Sequence, residues 1–356
     1  MKVALLGLLE SGKSTLFSAI TGRPLAPIGT TAIEEAILSV PDPRLDWLAE
    51  IYKPKKITHA AIDCVDLPGF NFTDEHGRYA AKHLLEKIRT VDLIIPVVRA
   101  FDDPSVPPYQ NRVDPAKDLA ELLTELLLAD LALVTTRIEN LEKQLKKPTA
   151  TQAHDKAELA LQQKLQQTIE AEKPIRSAIA NDAELEMIKS LGFLTLKPMV
   201  VAVNVGESDL AKTFTFPDVI PTGTPVITIS AKIEYELAQL DPKSKNDFMA
   251  DMGITESAAL KFVHSCYSAL GLISFLTVVS GELRAWPIHQ GTHALDAAGK
   301  VHSDIKRGFI KAETISYADL KSLGSEKAVK AAGKIRLEGK DYVVRDGDII
   351  NFRFNV

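Results

Sequence analysis

Near its start the chain reads Gly7-Leu-Leu-Glu10-Ser11-Gly12-Lys13-Ser14-Thr15, and no other stretch restricts the fold as tightly. The spacing G-x-x-x-x-G-K-S requires a strand before it and a helix after it. Both are predicted. Val3 to Leu6 is a short apolar run suited to a strand buried on both faces. Leu16 to Thr21 reads as a helix stopped by Gly22. Glycines let such a loop curl until successive backbone N–H groups point inward at an anion. The helix N-terminus adds partial positive charge at the same point. The backbone from Gly7 through Glu10, Ser11 and Gly12 to Thr15 is therefore expected to cradle phosphates. Lys13 would reach the β- and γ-phosphates, and the Ser14 hydroxyl would hold Mg²⁺. Glu10 is the odd member, because a carboxylate repels phosphate at close range. Its side chain is expected to face solvent.

Such a loop serves kinases, ATPases and GTPases alike, so later motifs must choose among them. His59 to Val65 is a second strand candidate and ends in Asp66-Leu-Pro-Gly69. An Asp there can hold a Mg²⁺-bound water, while the Gly69 N–H can approach the γ-phosphate. Between the two motifs, Gly29-Thr30-Thr31 follows Pro27, and Thr30 could close over the ion. Pro198 to Val203 and Pro225 to Ile229 read as further buried strands, ending in Asn204-Val-Gly-Glu207 and Ser230-Ala231-Lys232. Ligands of doubly wound sheets gather at the carboxyl ends of strands. Asn204, Glu207, Ser230, Ala231 and Lys232 are thus expected to frame a purine. They stand where G proteins carry N-K-x-D and S-A-K, with Val205 in place of the covering Lys and Glu207 in place of the guanine-reading Asp. That change weakens the case for guanine without proving adenine. A small-molecule kinase would share the loop but should carry a lid arginine cluster, and no such cluster is visible.

Composition bounds the rest. The 356 residues are 46% hydrophobic and 25% charged, which fits an ordinary globular chain of two or three domains and excludes wholesale disorder. A net charge of −5 argues against a generally basic nucleic-acid binder. Cys64 and Cys266 cannot build a disulfide framework and fit a reducing compartment. The run Val3 to Leu9 lacks a cleavage site, and Leu270 to Val279 is too short to cross a bilayer. A cytoplasmic location is expected, with no membrane contact.

The whole constellation resembles the YchF-type Obg-like ATPases, a branch of the Obg group of P-loop GTPases. Val40-Pro-Asp-Pro-Arg-Leu45, Val97-Val-Arg-Ala-Phe101, Val113-Asp-Pro115 and Ser230 to Leu240 carry the likeness. So does the tail from Arg284-Ala-Trp286 to Asp346-Gly-Asp348. The resemblance covers essentially the whole chain. It implies an α/β fold: a P-loop NTPase (Ras-like G domain) with a helical coiled-coil insertion and a C-terminal β-grasp TGS domain. It also implies use of ATP at least as readily as GTP, with Mg²⁺, and association with the ribosome or another RNA-containing complex. A monomer is expected. Lys13, Thr30, Asp66 and Gly69 are the implied catalytic set, with Ser14, Thr30 and Asp66 on the metal. Three stretches depart from the family pattern. Leu9-Glu10-Ser11 stands where Pro-Asn-Val is usual, Phe70 to Gly77 replaces a glycine-rich switch, and Pro108 occupies the position of a loop His. Phe70 is apolar like its family counterparts and cannot orient a water, so slow hydrolysis is expected, with a non-hydrolysing nucleotide-binding scaffold as the alternative. His76, lying in the altered switch, is a weak candidate for a base.

From about Asp118 the pattern becomes helical. Leu127, Leu131, Val134, Ile138, Leu141 and Leu145 alternate spacings of four and three, the seam of a two-helix coiled coil. Lys147-Pro148-Thr149 breaks it, and a second run from about His154 continues through Ile179 with a kink expected at Pro174. The expected domains are 1–116 with 196–278 for nucleotide, 117–195 as an antiparallel helical hairpin, and 279–356 as the TGS domain. After Gly281 there are 13 Lys+Arg against 10 Asp+Glu, a modest positive charge short of an RNA footprint. Two hairpins are predicted there. One pairs Ile335–Leu337 with Tyr342–Val344, and the other turns at Asp346-Gly347.

Overall fold

The computed structural model describes residues 1–25, 27, 30–146, 151–254 and 256–355, with backbone alone at 242 and 246. Gly29 and the break at Lys147-Pro148-Thr149 lie outside the described residues. In chain order the first elements are β1 (Lys2–Leu6), α1 (Lys13–Thr21), β2 (Glu34–Val40), α2 (Pro43–Tyr52), β3 (Lys56–Thr58), β4 (Ala60–Asp66), α3 (Glu75–Lys87) and β5 (Leu93–Ala100). Then come α4 (Pro115–Leu145), α5 (Gln152–Glu170), α6 (Asp182–Lys189), β6 (Val201–Val205), β7 (Val226–Ile229) and α7 (Ala231–Leu237). The chain forms two compact units, residues 1–36 with 64–259 and residues 37–63 with 260–356. Order along the chain had suggested a division at 278/279 instead, with 37–63 in the nucleotide part.

In the first unit β1, β5, β6 and β7 lie side by side and parallel. Every residue of β5 but the last is buried, as is all of β6, the pattern of strands covered on both faces. Register sets Leu6 beside Pro96 and Arg99 beside Asn204, so the carboxyl ends of β1, β5 and β6 open at one rim. The site is built there.

The insertion is a long helix and a shorter one. At about 1.5 Å per residue, the 31-residue α4 spans roughly 46 Å. Val134, Leu161, Leu165 and Ile169 share a core between α4 and α5, and Arg137 forks onto Glu158 at 2.6 and 2.7 Å. At its root, the fully buried Asp130 accepts from Arg89, the Leu194 and Thr195 N–H groups and the Thr195 hydroxyl at 2.7–3.0 Å. The expected kink at Pro174 is not how the second run ends. Helix α5 stops at Glu170, Glu172 takes a left-handed φ of 55°, and Pro174 caps a separate 3₁₀ turn, Ile175–Ala178. A proline's ring disfavours helical geometry in the residue before it, and the chain leaves the helix early rather than bend it.

The second unit holds β8 (Leu272–Val279), β9 (Glu282–His289), β10 (Phe309–Ser316), β11 (Arg336–Glu338) and β12 (Asp348–Phe354). Their order with β3 is β11-β10-β12-β8-β9-β3. Ser280 and Gly281, with φ of 53° and 81°, make the tight turn between β8 and β9. The last strand, β12, lies central, antiparallel to β10 and parallel to β8. A helix over Ala294–Val301 packs Ala294, Ala297 and Ala298 against Phe275, Ile288 and Phe352. This is a β-grasp. Both predicted hairpins are corrected. Strand β11 pairs with β10, Val343 makes a single bridge to His293, and Gly347 opens β12 without a partner strand before it. Alternation sets which face a residue points to, but not which strand it pairs with.

Candidate phosphate-binding site

The loop between β1 and α1 is shaped by what cannot fit. A Cβ on Gly7 would lie 2.5 Å from Ser11 Oγ and 2.9 Å from the Val97 carbonyl. One on Gly12 would lie 2.1 Å from Asn204 Nδ2, and Gly12 itself has φ 78°. Glu10 also takes the left-handed region, at φ 59°, with its side chain exposed. These turns make the loop a cradle around a hollow of about 230 Å³, lined by residues 8–15 with Leu25, Pro27, Thr30 and Gly69. Whole-ligand pockets run roughly 300–1,000 Å³. The hollow suits a phosphate chain better than an entire nucleotide. Ser11 Oγ is buried without a hydrogen-bond partner.

A charge pair is buried at the edge of the hollow. Lys13 Nζ donates to Asp66 Oδ1 at the end of β4, and lies 3.4 Å from Ser14 Oγ. The two side chains are only 3% and 8% exposed. Burial pulls the Lys13 ammonium below its usual 10.5, and the Asp66 charge opposes that shift. Thr30 lines the same hollow and donates its hydroxyl to the Pro27 carbonyl at 2.6 Å. Gly69 packs on Leu9, where a Cβ would come within 3.0 Å of Leu9 Cδ2. Next to it the Phe70 N–H donates to the Gly7 carbonyl and the Leu9 N–H to the Phe70 carbonyl, at 2.9 and 3.0 Å. The Phe70 ring is buried and stacks on Phe72 at 5.6 Å. His76 is exposed in the first turn of α3, and Pro108 precedes a 3₁₀ turn at Tyr109–Asn111.

The elements expected around a base divide into two groups. Asn204 is buried with both ends of its amide engaged. Nδ2 donates to the Ser11 carbonyl at 2.9 Å, and Oδ1 accepts from the Ala231 N–H at 3.0 Å. It thereby ties the loop to Ser230 and Ala231, which are also buried. Glu207 and Lys232 are exposed, while Val205 is buried. The structure therefore gathers Leu8 to Thr15, Thr30 and Gly69 around one hollow, joins Asp66 to it through Lys13, and links Asn204 and Ala231 to it through the Ser11 carbonyl.

Ser14, Thr30 and Asp66 offer hard oxygen donors, the set Mg²⁺ prefers. Among the described residues no cluster of three or more His, Cys, Asp or Glu forms a closed metal cage. These donors fit an ion that arrives with phosphates rather than one held permanently.

Two further residues contact this machinery and carried no assigned role in the sequence. Arg99 is 2% exposed and donates to the Glu10 carbonyl at 3.2 Å. A charged residue inside an apolar strand was the available signal. The Tyr109 hydroxyl accepts from the Phe72 N–H at 3.2 Å and donates to Glu121 at 2.9 Å, a link no local pattern foretells. Size alone does not select the site. A groove of about 470 Å³ between α3 and α4 is larger, but its lining, including Ala81, Leu85, Leu128 and Ala132, offers no loop of amides.

Comparison with known proteins covers the whole chain. The family described as 50S ribosome-binding GTPase matches residues 2–137. That named YchF-GTPase_C, described as "Protein of unknown function (DUF933)", matches 272–355. The chain is 38% identical to "Ribosome-binding ATPase YchF" of Bacillus subtilis (strain 168), covering 100% of both. It is also 38% identical to "Obg-like ATPase 1" of Oryza sativa subsp. japonica, covering 100% of this chain and 92% of that one. The solved structure of the Schizosaccharomyces pombe YchF GTPase superposes with a TM-score of 0.83 at 33% identity, over 99% of this chain and 97% of that one.

Proposed function

This chain belongs to the YchF-type Obg-like ATPase family of P-loop proteins, and we propose that it is a nucleotide-dependent switch that binds a Mg²⁺–purine nucleoside triphosphate and hydrolyses it slowly. The observation that carries this reading is the cradle of Gly7 to Thr15 around a phosphate-sized hollow, with Lys13 and Asp66 paired at its edge. On binding, the Lys13 ammonium exchanges the Asp66 carboxylate for β- and γ-phosphate oxygens. Ser14 and Thr30 would hold the ion through their hydroxyls, Thr30 giving up its bond to the Pro27 carbonyl. Asp66, released from Lys13, would help hold the ion through a water. The Mg²⁺ supplied with the triphosphate would neutralise charge on the transferred group. Gly69 presents its N–H to the γ-phosphate, which draws the Phe70 segment and loosens it again after hydrolysis.

Slow turnover follows from what flanks that phosphate. Phe70 has no polar atom and its ring is locked in the core. Pro108 offers none of the chemistry of the loop His it replaces. Turnover then rests on positioning and charge neutralisation by this chain's Lys13 and loop amides. ATP is favoured as substrate, with GTP second, because Glu207 replaces the guanine-reading acid and Val205 is buried. By analogy with relatives named for ribosome binding, the switch acts in the cytoplasm on a ribosomal partner, as a monomer. The helical arm and the β-grasp unit are its docking parts.

Calorimetric titration with Mg·ATP and Mg·GTP, followed by phosphate release at saturation, tests the whole reading. Binding that Lys13→Ala abolishes, with ATP at least as tight as GTP and a slow release, is the expected result. Binding without phosphate release would favour a scaffold, the reading that Glu10, Pro108 and the altered switch after Gly69 suggest. No binding of either nucleotide overturns the reading.

A further inference from the structure

Arg99 has no place in the mechanism above, yet its surroundings are unusual. It is the largest of the nearly fully buried side chains, at 2% exposure. A buried guanidinium is ordinarily neutralised by a carboxylate. Here the hydrogen bonds go to three backbone carbonyls: Nη1 to Glu10 at 3.2 Å, Nε to Phe101 at 3.1 Å and Nη2 to Val106 at 2.8 Å. Among the described residues no carboxylate is ion-paired with it. The guanidinium also lies 4.2 Å from the centre of the Phe101 ring, and that ring comes within 3.6 Å of the place a Gly12 Cβ would occupy.

The register explains why this matters. Arg99 and Asn204 are Cα partners on β5 and β6, so both side chains project from one face at the rim beneath the loop. Arg99 takes the carbonyl of Glu10, and Asn204 takes that of Ser11. Two consecutive carbonyls of the loop are thus bonded into the protein. The N–H of the same Glu10–Ser11 peptide, that of Ser11, donates to the Leu8 carbonyl at 3.3 Å, so this peptide is fixed at both ends and pins the turn from which the rest of the loop continues. The left-handed φ of Glu10 is the backbone conformation this arrangement demands, and a non-glycine residue adopts it only when its surroundings impose it.

We propose that Arg99 is a positioning residue for nucleotide phosphates: its three-carbonyl fork holds the Leu8–Ser11 turn in place, and with it the path along which the following loop amides, from Gly12 on, meet the polyphosphate. The charge itself is offset by the nearby Glu10, Asp102, Asp103 and Asp118 carboxylates, so the fork rather than a net field is what acts on the loop. The proposal rests on the nucleotide reading of the loop. It deepens that reading by separating contacts that act on phosphate from those that act on the nucleoside.

The test is a comparison of polyphosphate with nucleoside affinity. Wild type, Arg99→Met and Arg99→Lys are titrated with Mg·ATP, Mg·ADP and adenosine, and with the guanine series alongside. Methionine keeps much of the side-chain volume, and lysine keeps the charge but loses the fork. Both variants should bind ATP and ADP about tenfold or more weakly, the weight of a charge-assisted hydrogen bond, while adenosine changes less than twofold. A purely structural role would weaken all three ligands together, and that result overturns the proposal. So does ATP affinity unchanged in Arg99→Lys, which decides alone should the methionine chain not fold. Failure of the underlying reading looks different: wild type itself binds neither nucleotide, and Lys13→Ala matches it.

Discussion

In the proposed switch, the Lys13–Asp66 pair makes the state without nucleotide a competitor for the state with it. Each partner is wanted elsewhere when a triphosphate arrives, and both are shielded from water until then. Asp66→Asn removes the competitor. Without Mg²⁺, a nucleotide entering the wild-type site must separate the pair and leave a bare carboxylate beside its own phosphates. Asparagine removes both penalties. Hydrogen bonds to charged groups contribute about 1.5–3 kcal/mol, so nucleotide binding in EDTA should tighten by roughly 10- to 100-fold. With Mg²⁺ the change runs the other way, since Asn cannot anchor the ion's water as a carboxylate does. The ratio of Kd in EDTA to Kd in Mg²⁺ should therefore collapse, read by calorimetry on both proteins. An unchanged ratio, or equal weakening in both media, would refute the exchange of partners.

The same substitution leaves a buried ammonium unpaired. Breaking a buried pair from one side costs about 3–5 kcal/mol of stability, whereas removing both charges is often nearly neutral. Urea unfolding of Asp66→Asn should show that loss, and Lys13→Met/Asp66→Asn should recover most of it while binding no triphosphate. A sign follows for pH. The folded-state Lys13 titrates below 10.5, so at alkaline pH the unfolded chain holds more protons than the folded one. The deficit of Asp66→Asn should shrink as pH rises toward 10.5.

Three other substitutions probe separate parts. Gly12→Ala places a methyl 2.1 Å from Asn204 Nδ2 at a φ of 78°; it should cost about 1–3 kcal/mol in urea unfolding and remove Mg·ATP binding in the same calorimetric assay. Asp130→Ala deprives Arg89 and two backbone N–H groups of their acceptor, and a loss of about 3–5 kcal/mol is expected; a loss below 1 kcal/mol would show that the hairpin's root relaxes around the gap. Asp118 is pushed up to about 6 from 3.8, chiefly by burial, with Arg112 opposing. The folded state then holds the extra proton, so this carboxyl's contribution to stability is full below 3.8 and lost as pH rises through about 6. Asp118→Asn should gain on wild type between those values in urea titrations, and a constant difference would contradict the assignment.

What the sequence reveals here follows from the range of each interaction. The loop and its strands were legible because glycine spacing, a lysine and unbroken apolar runs are all local. The α4–α5 hairpin was legible for the same reason, since Val134, Leu161 and Leu165 lie on a repeating seam. Its end was not, because Ala171-Glu-Lys-Pro174 offers no glycine to mark the left-handed residue at Glu172. Strand β11 has the alternation of a hairpin arm, yet Thr314↔Arg336 and Ala312↔Glu338 join it to β10. The buried contacts of the site were equally hidden. Lys13 meets Asp66 across 53 residues, and Asn204 meets Ser11 across 193. Residue types and motif order suggested both as site members, but only the fold reveals that they restrain each other.

That mutual restraint bears on the departures of this chain from its family's pattern. Leu9-Glu10-Ser11, which departs from the pattern the resemblance implies, leaves the cradle standing, because its side chains are directed elsewhere. Glu10 points to solvent, Leu9 packs on Gly69, and Ser11 tucks over Gly7. The backbone path is held from below, by Asn204 on the Ser11 carbonyl and Arg99 on that of Glu10. A loop braced through its carbonyls tolerates new side chains, provided none needs the space kept clear at Gly7 and Gly12. Pro108 has no such protection. If the proposed resemblance holds at this position, a proline there cannot supply an imidazole's proton chemistry, and its effect would fall on turnover rather than on the phosphate cradle.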